Sequence, residues 1–206
     1  MTSISSYLTQ GLLYFFPQQE DETLKEIPPM GPTQWKELAG LDIDPIEIPR
    51  RLLEASRNPS PFLPEYTIGQ THILCCIPKG LSVAKLFELA GKPTGRLEDK
   101  DFKENPETYW CWVAKKPILR GCPFKLQEKE LHLIGYDVPT SLEVIVAIYA
   151  AKNLGNVILF PHIDNASPCK DPYDTSSYDI IGGCRSSTFC SFAPTWRSNA
   201  VSSVLR

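Results

Sequence analysis

The 206-residue chain lacks most of the features that announce a function. No stretch approaches the roughly 20 consecutive apolar residues that a membrane span requires. The opening residues, MTSISSYLTQGLLYFFP, place no basic group ahead of their short apolar part, so a secretory signal peptide is not expected. No GxGxxG, HExxH, GxSxG or calcium-loop pattern occurs. Ala90-Gly91-Lys92-Pro93 lacks both the earlier glycine and the Ser/Thr of a phosphate-binding loop. A net charge of −3, from 21 basic and 24 acidic side chains, demands neither nucleic acid nor an anionic membrane as partner. Seven cysteines, an odd number without regular spacing, do not read as a secreted disulfide framework. A reducing, cytoplasmic location is therefore expected, while export as an effector without a cleavable signal leaves little trace in composition and stays open.

What the chain has in excess is proline, 19 of 206 residues, nearly twice the usual share of about 5%. Its most apolar stretch is DVPTSLEVIVAIYAAKNLG, Asp137 to Gly155. Thr140 and Glu143 have capping-box spacing, in which each side chain takes one orphan amide of the first turn. From Leu142 to Ala151 only Glu143 is charged, and apolar residues run around every face. The run is about half of a membrane span, so it reads as a helix buried in a core. Lys152 suits the carbonyl end of the helix dipole, and Gly155 is expected to close the helix in the left-handed conformation.

The charge is unevenly spread, with 5 basic and 10 acidic groups in residues 1–66. QQEDETLKEIPPMGP reads as a linker, so residues 1–32 are expected to form an N-terminal arm. Thr33 is placed to cap a helix through Ala39, and Pro49 to open a second at RRLLEA. THILCCI, Thr71 to Ile77, is a buried strand candidate with Cys75 and Cys76 as small core residues. Ser82 caps a helix with Leu81 and Leu86 as its staple. After a polar loop of some 17 residues, TYWCWVA, Thr108 to Ala114, forms a second strand whose aromatics suit one sheet face. Pro123 to Ile134 is a helix ending at Gly135, and Asn156 to Phe160 a third strand. YDII, STFCSFA and NAVSSVL are short β-like pieces near the end. The expectation is one α+β domain over residues 33–206, with a mixed or antiparallel sheet packed on a central buried helix at about 140–154 and short C-terminal strands.

Several short segments recur together in one family: Gln70-Thr71-His72 leading into a strand that ends at Pro78, Leu86 to Leu89, Tyr109-Trp110 followed by Val113 and Lys115, Tyr136-Asp137-Val138-Pro139 leading into Leu142-Glu143, and Gly182-Gly183. In these the chain resembles a set of uncharacterised proteins of environmental chlamydiae and related bacteria, over roughly residues 33–206. That family has no assigned activity, so the resemblance implies lineage and no mechanism.

Two places carry residue types that could do chemistry. The loop FPHIDNASPCKDPYD holds His162, Asp164, Cys169, Asp171 and Asp174 beyond a strand. His162 with Asp164 suggests acid–base work, although polar turn chemistry accounts for the same residues. Spacings of seven, fifteen and six residues among His162, Cys169, Cys184 and Cys190 lack the close ligand pairs of structural zinc, so no metal and no cofactor are expected. Cys122 stands beside Arg120 and Lys125 at a helix start, where cations and the dipole favour a thiolate. His132 lies too far along that helix to join it. Lys115, Lys116, Arg120 and Lys125 form a basic zone beside Trp110 and Trp112, read as a solvated face rather than a nucleic-acid surface. The balance is a non-catalytic protein-interaction or binding domain; the alternative is a small cysteine- or histidine-dependent hydrolase or transferase acting through Cys122, His162 or Asp164.

Overall fold

The computed structural model describes residues 24–90, 104–116, 124–159, 167–170, 178–182, 190–192 and 204–205. Helices α1 (Pro32–Ala39), α2 (Arg50–Ala55) and α3 (Ile68–Thr71) precede strand β1 (His72–Ile77). Helix α4 (Val83–Leu89), strand β2 (Tyr109–Ala114), helix α5 (Phe124–Leu133) and helix α6 (Ser141–Gly155) follow. Strands β3 (Ser167–Lys170), β4 (Tyr178–Gly182), β5 (Cys190–Phe192) and β6 (Val204–Leu205) complete the order. The fold is α+β, with antiparallel pairing throughout two three-stranded sheets, β1-β2-β6 and β3-β4-β5.

The pleat of the first sheet sorts its side chains into two layers, because successive residues of a strand point to opposite faces. Ile73, Cys75, Ile77, Cys111 and Val113 join the core that contains α6. Leu74, Cys76, Trp110 and Trp112 face the other way, against Leu52, Ala55 and Ile68. Each tryptophan on this second face has its ring nitrogen satisfied: Trp110 Nε1 donates to Ile46 O at 3.2 Å and Trp112 Nε1 to Leu52 O at 2.9 Å. The aromatic alternation therefore builds a sheet face.

Helix α6 has Val144 through Ala151 all buried. It packs against β1 and β2 of one sheet and against β3 and β4 of the other, so its lack of a polar face matches its surroundings. Burying each of its large aliphatic side chains stabilises the fold by about 1.5–3 kcal/mol. The Thr140–Glu143 capping box forms: Glu143 N donates to Thr140 Oγ1 at 3.3 Å and Thr140 N to Glu143 Oε2 at 2.7 Å. Tyr109 Oη donates to the other carboxylate oxygen at 2.9 Å, tying the helix start to β2. Among the described residues no helix is long and apolar enough to cross a membrane.

Four local expectations are corrected. Gly155 does not close α6; the left-handed residue is Asn156, at φ 51°, whose short polar side chain tolerates that conformation. A Cβ at Gly155 would instead lie 3.0 Å from Ile27, so this glycine serves close packing. Residues 156–159 do not form a strand, since Val157 N turns back to Ala151 O in the helix-end motif while Val157 and Leu159 are buried. A strand, β3, occupies Ser167–Lys170 inside the stretch read as a loop.

The fourth correction concerns the arm. Ile27 and Met30 are buried core residues, and Met30 bridges in parallel to Cys75 through Met30 N to Leu74 O and Cys76 N to Met30 O, both 2.9 Å. The prolines of this segment keep it extended, and its apolar residues cover the free edge of β1. Replacing Ile27 with Ala should lower the free energy of unfolding by about 2 kcal/mol or more. Urea denaturation measures this directly, and a loss within about 0.5 kcal/mol would return the segment to a surface arm.

Candidate functional site

Cys122, His162 and Asp164, the residues the sequence singles out, lie outside the described residues, as does Cys184. Cys169 and Cys190 sit on β3 and β5, which flank β4 on opposite sides. Among the described residues, no group of three or more His, Cys, Asp and Glu side chains could hold a metal ion.

Three thiols of the first sheet are unsuited to nucleophilic work. Cys75, Cys76 and Cys111 are buried thiols. Burial in apolar surroundings raises the Cys75 pKa far above that of an ordinary thiol, with Cys76 and Glu143 adding to the effect. Burial likewise pushes Cys76 up to about 12. His132 pairs with Asp137 on the surface, Nδ1 to Oδ1 3.0 Å, away from all three.

The polar groups that the fold does bring together surround His72, the first residue of β1. Helix α3 is a single turn held by a capping box, in which Thr67 N donates to Gln70 Oε1 at 3.0 Å. At its end Thr71 Oγ1 donates to Thr67 O at 3.0 Å and lies 2.8 Å from His72 Nδ1. Thr71 Oγ1 has one hydrogen and both Thr67 O and His72 Nδ1 within reach; giving it to Thr67 O makes Nδ1 the ring donor and Nε2 an acceptor. His72 is 1% exposed and packs at ring-centroid distances of 6.3 Å from Phe62 and 5.7 Å from Tyr136. Phe62 and Tyr136 close the cage edge to face at 5.3 Å. Among the described residues, neither His72 Nε2 nor Tyr136 Oη has a hydrogen-bond partner.

Lys115 stands next to this cage and corrects the reading of a solvated basic zone. Its backbone amide continues the strand pairing to Thr71 O at 3.0 Å, and its side chain is 1% exposed. The ammonium donates to Gln70 O at 2.8 Å and to Lys25 O at 2.5 Å, joining α3 to the N-terminal segment. Desolvation lowers its pKa to about 8 against the opposing pull of Glu26. Lys116 is also lowered by burial. Desolvation first, and the Lys115 charge second, bring His72 down to about 3, so the imidazole is neutral across the physiological range. Burial pushes the Tyr136 phenol up to about 12.

This cluster of a neutral acceptor, a phenol and a clamped ammonium can bind and orient. Sequence reasoning passed over it because its members come from four separated segments. One signal was available: Lys115 directly extends a strand of buried residues, where a cation has to find acceptors inside the fold. Comparison with protein-family models, curated proteins and solved structures finds no match to this chain.

The buried imidazole links stability to acid. Its unfolded pKa is 6.5 and its folded value about 3, so its contribution is fully present above pH 6.5 and is lost as pH falls toward 3. The loss approaches roughly 1.4 kcal/mol per pH unit. Urea unfolding at pH 7, 6, 5 and 4 should show this slope, and a His72→Gln variant should show a flatter one. Parallel slopes for the two proteins would assign the acid sensitivity to other groups.

Proposed function

We propose that this chain is a non-catalytic binding domain whose partner is a protein. The observation that carries the reading is that three cysteines and the buried histidine are held in unreactive states: Cys75, Cys76 and Cys111 as buried thiols and His72 as a neutral imidazole. A protein partner is supported by Leu133 and Ile134, adjacent apolar residues at the end of α5 that are 63% and 42% exposed. The resemblance to chlamydial proteins would place that partner among host or neighbouring bacterial proteins.

A thiol hydrolase or transferase would need one cysteine, Cys122 foremost, to be strongly activated. Brief alkylation of the folded chain at pH 6.5, read cysteine by cysteine by mass spectrometry, separates the two functions. Binding without catalysis predicts that Cys75, Cys76 and Cys111 label only on unfolding and that no other thiol outpaces free cysteine. One cysteine reacting about 100-fold faster than free cysteine would replace the binding reading with the thiol enzyme.

A further inference from the structure

The cage around His72 contains two buried polar atoms. His72 is 1% and Tyr136 4% exposed, and neither His72 Nε2 nor Tyr136 Oη meets a donor or acceptor among the described residues. Buried polar atoms are nearly always hydrogen-bonded, because stripping water from one without replacing it is unfavourable. The rings that carry them lie 5.7 Å apart between centroids and both pack against Phe62, which puts the two rings in one neighbourhood of the fold.

The chemistry of the two atoms defines that partner. Nε2 is a lone-pair acceptor, since the ring proton is on Nδ1 facing Thr71. It requires a donor and disfavours an anion. The neighbouring Lys115 ammonium disfavours a cation. Tyr136 Oη has a hydrogen to give. A neutral group that donates once and accepts once meets both needs with one atom, and a hydroxyl does so.

We propose that the cage formed by Phe62, His72 and Tyr136 is a binding site for one neutral hydroxyl, from water or from a small alcohol or phenol, that donates to His72 Nε2 and accepts from Tyr136 Oη. This site is independent of the protein-binding surface at α5 and stands or falls separately.

The sign of a single substitution tests it. With the hydroxyl bound, Tyr136→Phe removes a satisfied group and lowers the melting temperature of the full chain by about 2–4 °C. In a His72→Gln background the same change has a smaller effect, because the bridge is already broken. A Tyr136→Phe protein that melts higher than the parent would show that the phenol was an isolated buried group, and would overturn the site. Nitrogen-15 NMR of the unmodified chain covers the case in which a variant does not fold. A hydrogen-bonded Nε2 on the Nδ1-H tautomer supports the site, and a bare Nε2 overturns it. Titration with phenol and with benzyl alcohol then separates the sources: saturable shifts at Phe62, His72 and Tyr136 identify an organic hydroxyl, and a hydrogen-bonded Nε2 unmoved by either identifies water. A crystal structure with Tyr136 Oη bonded directly to His72 Nε2 would also overturn it.

Discussion

A helix with no polar face has to be enclosed on every side, and that requirement at α6 organises the structure. Valines and isoleucines line one turn after another from Val144 to Ile148, and alanines at 147, 150 and 151 let neighbours approach closely. One sheet alone covers only one side of such a cylinder. The second sheet, contributed by chain that follows the helix, and the N-terminal segment, contributed by chain that precedes it, complete the enclosure. The close approach of Ile27 to Gly155 shows how tightly that segment is applied.

Enclosure on this scale leaves polar groups inside, and several are satisfied by backbone or by a partner close at hand. Glu143, fully buried at the start of α6, accepts from Thr140 and Tyr109, so a helix cap becomes a tether to β2. Lys115 gives its hydrogens to two carbonyls from segments 45 and 90 residues away in sequence, and so joins them. Trp35 Nε1 donates to Cys76 O at 2.8 Å across the sheet edge. The His72 cage departs from this pattern, and such a departure is where bound chemistry is to be sought.

The same enclosure explains why the conspicuous cysteines of the sequence are chemically quiet. Cys75 and Cys111 are direct cross-strand partners in the layer facing α6. The low dielectric that makes them good packing residues penalises the thiolate that a nucleophile would need.

Sequence by itself determined the elements whose signals are local. The Thr140–Glu143 and Ser82 caps, the apolar run of β1, the alternating tryptophans of β2 and the stop at Gly40 each rest on residues within one or two turns of each other, where short-range sterics and hydrogen bonding decide. Tertiary structure alone decided what depends on distant chain. Ile27 and Met30 became core because the edge of β1 was there to receive Met30, and Gly155 suits its place because Ile27 fills the space a side chain would take. Likewise Lys115 went inside because acceptors from Lys25 and Gln70 met there, and His72 lost its charge because Phe62, Tyr136 and Lys115 converged on it from three other segments. Burial and charge are properties of a place in the fold, and the order of residues along the chain does not encode who the neighbours in that place will be.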